Sequence, residues 1–160
     1  MSRITNSIPP LGDNLPIIAV LEDTPYRIEW LEREFPHAHI AWSTNVVHFC
    51  ASVDALALSG RLQLILMDHD LGANPLDMAL DFSGHLKNYM EDKNGHDGCD
   101  ACWAMTTYPN IPVFIWSANW DKAPTMEEVL RHRGFLRVSR ASFDAQRENV
   151  KTFIENTIGL

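Results

Sequence analysis

Basic residues are scarce in this chain: 13 Lys and Arg stand against 21 Asp and Glu, for a formal net charge of -8. Phosphate backbones are held by clustered Lys and Arg, so this balance excludes a bulk nucleic-acid binder. Cysteine is equally sparse. Cys50, Cys99 and Cys102 are too few, and odd in number, for a secreted disulfide framework, and reduced thiols are the expectation. No apolar run approaches the ~20 residues needed to span a bilayer, which argues against a membrane protein. The N-terminus also lacks the charged-then-apolar pattern of a signal peptide, so a cytoplasmic, soluble protein is expected. Hairpin turn signals are missing between the apolar runs, which counts against an antiparallel sheet.

The most pointed stretch present is Leu62-Gln63-Leu64-Ile65-Leu66-Met67-Asp68-His69-Asp70-Leu71-Gly72. A strand-length apolar run stops at two carboxylates flanking an imidazole, and Gly72 marks a turn. A run apolar on both faces suits a central strand of a parallel sheet covered by helices, where ligands bind beyond the carboxyl ends of the strands. Asp68, His69 and Asp70 belong at that rim.

In chain order, residues 1–15 read as a flexible N-terminal arm, polar and without period. Pro16 precedes a strand over Ile17-Ile18-Ala19-Val20-Leu21, which stops at Glu22-Asp23. Thr24 reads as an N-cap and Pro25 as the first residue of a helix whose apolar face is Ile28, Leu31 and Phe35. His39 to Trp42 is a second strand, and Ser43 or Thr44 caps a helix through Val46, Val47, Cys50, Val53, Leu56 and Leu58 that Gly60 ends. After the central strand, residues 73–97 form an insertion over the site, long for a compact domain and of the kind used as a lid or binding loop, with a helix over its middle, Met78 to Met90. A helix follows over Cys99 to Met105, then a strand over Ile111 to Trp116 ending at Ser117-Ala118-Asn119. Thr125 caps a helix from Met126 to His132 closed by Gly134, and a strand over Phe135 to Ser139 leads past Arg140 to a helix over Phe143 to Ile158.

Strands alternating with helices five times predict an α/β fold in one domain over residues 16–160. The expected form is an open parallel five-stranded sheet in the order 2-1-3-4-5, with helices on both faces. Strands one and three are then neighbours, and Glu22 and Asp23 converge on Asp68 and Asp70. Such a cluster repels itself unless a cation or raised pKa values relieve it, and a hard divalent ion such as Mg²⁺ or Ca²⁺ suits carboxylate oxygens. Plainer roles compete: corner acids that help the next helix, and an Asp70 that bonds its own turn.

These residues resemble the site of response-regulator receiver domains. Leu21-Glu22-Asp23 matches the acidic pair, Asp68 the phospho-accepting Asp, Ser117-Ala118 the Ser or Thr, and Arg140 stands where receivers carry Lys. A closer likeness is to the receiver-like subfamily named for cyclic-phosphate processing, whose mark is the turn found here as Asp68-His69-Asp70-Leu71-Gly72. Trp116 stands where that subfamily carries His. The resemblance implies a flavodoxin-like, receiver-like domain that binds Mg²⁺ or Mn²⁺ and acts on cyclic phosphates of nucleotides or RNA ends. In that reading Glu22, Asp23 and Asp68 hold the ion, with Asp70 an alternative to Glu22. Asp68, His69 and Asp70 are the catalytic group, His69 transferring a proton, and Ser117, Asn119 and Arg140 meet the phosphate. Two alternatives stay open: a signalling receiver phosphorylated on Asp68, or a receiver-like binding or adaptor module without catalysis.

His96, Cys99 and Cys102 have Zn²⁺-ligand spacing, with His85 a candidate fourth ligand, although two small apolar residues packing a helix on the sheet is the simpler account. Trp42, Trp103, Trp116 and Trp120 are expected to fill the core or line the pocket.

Overall fold

The computed structural model describes residues 14–71, 97–117, 119 and 121–159. Residues 1–13 of the arm, nearly all of the 73–97 insertion, and Gly72, His85, His96, Ala118 and Trp120 lie outside the described residues.

Five parallel strands form one sheet in the order β2-β1-β3-β4-β5, the order expected from the alternation of apolar runs. They are β1 (Ile17–Leu21), β2 (His39–Ser43), β3 (Leu62–Met67), β4 (Val113–Ile115) and β5 (Val138–Arg140). The five described helices are α1 (Pro25–Glu34), α2 (Val46–Leu58), α3 (Gly98–Ala104), α4 (Ala123–Arg133) and α5 (Arg147–Ile158). No helix among the described residues is long and apolar enough to cross a membrane.

Every residue of β1 is fully buried, as both faces of a central strand must be when helices cover each side. Its alternate residues feed two cores. Ile17, Ala19 and Leu21 pack with Phe49 and Val53 of α2, Ala101 and Cys102 of α3, and Met126 and Leu130 of α4. Ile18 and Val20 pack on the other face with Ile28 and Leu31 of α1 and Val150 and Ile154 of α5. Each of the larger apolar side chains among these stabilises the fold by roughly 1.5–3 kcal/mol.

Several element ends differ from expectation. The strand runs through Ser43, so the cap of α2 falls on Asn45, whose side chain accepts from the His48 N–H. Val47 and Leu58 are exposed, and Phe49 takes the inward place. Helix α4 begins at Ala123 instead of Met126, because Pro124 suits the first turn and the Asn119 side chain takes the Asp121 and Lys122 N–H groups. Strand β5 starts at Val138, since the chain leaves α4 through a left-handed Gly134 and buries Phe135 in the core first. Helix α5 starts at Arg147, after a turn in which the Gln146 amide N–H reaches back to the Ser142 carbonyl.

Candidate functional site

The strand ends are level. Leu21 is in register with Ser43 and Met67, Met67 with Ile115, and Ile115 with Arg140. The ladder continues one residue further: Glu22 N–H donates to Ser43 O, Asp68 N–H to Leu21 O, and Trp116 N–H to Met67 O. Leu21, Met67 and Ile115 face the α2–α4 core. By alternation Glu22, Asp68 and Trp116 turn to the α1–α5 side, and Trp116 is indeed in that core.

Glu22, Asp23 and Asp68 each offer an oxygen within 4.8 Å of the others, so the first and third strands bring their terminal acids together. Glu22 shapes the corner into α1. Its Oε2 accepts the Asp23 and Thr24 N–H groups at 3.1 Å each, while the Thr24 hydroxyl, expected to cap α1, makes no cap bond. Asp68 accepts from its neighbour His69 N–H at 2.9 Å and from the Ser117 hydroxyl.

The sequence reading missed the cation already in this cluster. Arg27, on the first turn of α1, is buried, with Nη1 3.0 Å from Glu22 Oε1 and 3.6 Å from Asp68 Oδ2. Its guanidinium carbon lies 5.1 Å from the Phe143 ring centroid and 5.9 Å from that of Trp116, so aromatic faces help to hold the charge. One guanidinium does not offset two buried carboxylates. Burial and the Asp68 charge push Glu22 up to about 8, against the pull of Arg27 and the Thr24 N–H. Asp68 is also raised by its burial, though Arg27, Ser117 and the His69 N–H oppose this.

Asp70 stands apart from the other acids. Its side chain is 62% exposed and its Oδ1 lies 2.7 Å from His69 Nδ1 and 3.1 Å from Asn119 Nδ2. Partial burial raises Asp70, but those two hydrogen bonds outweigh it and hold the carboxyl below its usual range. Across the imidazole, His69 Nε2 faces Asp97 Oδ2 at 3.7 Å. His69, Asp97 and Cys99 form a second group whose ligand atoms all lie within 4.8 Å. Helix α3 sits hard against this turn, with Gly98 N–H donating to His69 O at 2.9 Å.

The three residues expected at a phosphate are divided. Ser117 and Arg140 line a groove of about 460 Å³ together with Glu127, Ser142 and Gln146. Arg140 is tied there by an Nε bond to Glu127 Oε1 at 2.8 Å. Asn119 instead joins Asp70 through Nδ2 and caps the start of α4 through Oδ1. Of the thiol pair, Cys102 is fully buried in the α2–α4 core, where burial pushes its thiol well above the usual range. Cys99 is half-buried, and its thiol is raised by burial and by Asp97. Trp103 is 54% exposed, contrary to a core role, because it lies on the outer side of α3. Trp42 is half-buried and its indole N–H donates to the Glu22 carbonyl.

No protein-family profile and no curated protein matches the chain. Among solved structures, one similar chain is a yeast Spc42 trimeric coiled coil, amino acids 181-211, fused to another structure, at 16% identity and a TM-score of 0.56. The match covers 91% of this chain and 78% of that one. At that identity the likeness speaks for the α/β fold alone.

Proposed function

We propose that this chain is a receiver-like domain, closest to the cyclic-phosphate processing subfamily, that acts as a metal-dependent enzyme on small phosphoesters. Cyclic phosphates of nucleotides or RNA ends are the proposed substrate class. The observation that carries this reading is the meeting of Glu22, Asp23 and Asp68 oxygens within 4.8 Å at the rim between β1 and β3. An all-oxygen donor set suits Mg²⁺ or Mn²⁺, and a bound ion supplies charge stabilisation to a reacting phosphoryl group. Asp70 orients His69 through Nδ1, which leaves Nε2 for proton transfer at the ester or water oxygen. Ser117 and Arg140 offer donors to phosphate oxygens from the adjoining groove, where Ser117 must exchange Asp68, and Arg140 must exchange Glu127, for the ligand. Asn119 steadies Asp70. The free thiols of Cys50, Cys99 and Cys102 accord with a cytoplasmic setting.

The test is turnover of a 2′,3′-cyclic nucleotide in Mg²⁺. Activity lost in Asp68→Asn and reduced about 10²–10⁴-fold in His69→Ala supports the enzyme. Undiminished turnover in Asp68→Asn overturns it. A one-phosphoryl mass gain from acetyl phosphate, absent in Asp68→Ala, instead supports the signalling receiver. Arg27 favours one further reading: because it supplies a built-in cation to Glu22 and Asp68, the cluster can stand without a metal, as in a receiver-like binding module.

A further inference from the structure

We propose a second, chemically softer metal site on the opposite side of the Asp68-His69-Asp70 turn, made by His69 Nε2, Asp97 Oδ2 and Cys99 Sγ and selective for Zn²⁺-class ions. It shares no ligand with the carboxylate site and does not rest on the phosphoester reading, since an ion held on Nε2 takes His69 out of proton transfer. The meeting of three unlike ligand atoms within 4.8 Å carries the proposal. Asp70, an ionised carboxylate, can only accept, so the 2.7 Å contact puts the proton on His69 Nδ1. On the other side of the ring, Nε2 faces Asp97 Oδ2 at 3.7 Å, with Cys99 Sγ within 4.8 Å of both. At that separation the two atoms are too far apart for a direct hydrogen bond, and an ion between them can bind both. Ligands about 2.0–2.3 Å from a tetrahedral zinc sit roughly 3.3–3.8 Å apart, which is the spacing seen between His69 and Asp97.

The supporting contacts are also those of a metal centre. A zinc-bound histidine commonly donates its other N–H to a carboxylate, which fixes the tautomer and raises its basicity. Asp70 does this for His69, and Asn119 Nδ2 bonds Asp70 in turn at 3.1 Å. Asp97 is fixed as well: its Oδ1 accepts the Asp100 N–H at 2.9 Å as the cap of α3, leaving Oδ2 for the ion. Cys99 follows two residues after Asp97 and brings its sulfur within 4.8 Å of both other ligand atoms. One imidazole, one carboxylate and one thiolate suit zinc or cobalt over magnesium. Three protein ligands leave a fourth position for water or a small anion, the arrangement of catalytic zinc sites as opposed to closed structural ones. Binding converts the Cys99 thiol to a thiolate and releases one proton to solvent.

Cobalt titration of the full chain tests this, read by the thiolate-to-cobalt charge-transfer band and by displacement with Zn²⁺. One equivalent of Co²⁺ is expected to raise the band in the wild type, in Asp68→Asn and in Cys102→Ala, and none in Cys99→Ser. Asp70→Asn is expected to keep the band and weaken binding about 10–100-fold. Circular dichroism of each variant checks that it is folded. Absence of the band in the wild type, its survival in Cys99→Ser, or its equal loss in folded Cys102→Ala overturns the site. The unchanged response of Asp68→Asn separates this result from any failure of the carboxylate site.

Discussion

Arg27 Nη1 donates to Glu22 Oε1 across 3.0 Å, with both side chains almost wholly withdrawn from solvent. Above about pH 8, where Glu22 is ionised, breaking such a pair leaves an uncompensated buried charge, which typically costs about 3–5 kcal/mol. Arg27→Met, which keeps an unbranched apolar side chain at the site, is therefore expected to lower the unfolding free energy by about that much in chelator-treated protein on the alkaline side of that value. Urea unfolding measures it, and a loss under about 1 kcal/mol is incompatible with a buried pair.

The same cluster sets a pH dependence. Glu22 moves from its ordinary value of 4.5 to about 8 on folding, so between those values the folded chain holds a proton that the unfolded chain has lost. The contribution of Glu22 to stability is full below 4.5 and is lost as pH rises through about 8. Asp68, also raised, works in the same direction. Thermal melts from pH 5 to 9, with chelator present, are expected to show a steeper decline for the wild type than for Glu22→Gln. Parallel profiles contradict the assignment.

Gly98 is needed for closeness. A Cβ there meets the Asp68 carbonyl oxygen and lies 2.7 Å from both His69 Cα and Met126 Cε. Replacing a helical glycine by alanine ordinarily gains about 1 kcal/mol, but a methyl group pressed on backbone costs about 1–3 kcal/mol. Since two of the three neighbours are backbone atoms, the clash wins: Gly98→Ala is expected to lower the melting temperature. A rise in melting temperature means that α3 does not press on the Asp68-His69 turn.

The rim acids were legible because strands and carboxylates follow simple rules. Apolar runs that end in Glu22-Asp23 and Asp68 put those acids at strand ends, and parallel crossovers of one hand make β1 and β3 neighbours. Arg27 was not legible from the apolar spacing of Ile28, Leu31 and Phe35, although it stands on the first turn of α1, close enough to reach back to Glu22. Its burial depends on Phe143, far along the chain, which no local pattern connects to it. Asp97 was counted with the insertion, and its meeting with His69 arises only because α3 docks through Gly98 on the central turn. The Cys99 and Cys102 spacing read alike for both thiols; burial separates them, one in the core and one beside His69. Helix α5 ends at Ile158 as expected, before a left-handed Gly159, whereas its start was obscured because Phe143 is apolar but belongs to the preceding turn.

The central claim is that Glu22, Asp23 and Asp68 hold one divalent ion. Its most direct test is the melting temperature of chelator-treated protein during titration with Mg²⁺. An ion at 100 times its dissociation constant stabilises by about 2.7 kcal/mol, and each kcal/mol moves the midpoint by roughly 2–4 °C at this size. A saturable rise of several degrees is expected in the wild type and in Cys99→Ser, and none in Asp68→Asn. A wild type whose midpoint does not move, or an equal rise in Asp68→Asn, contradicts the claim.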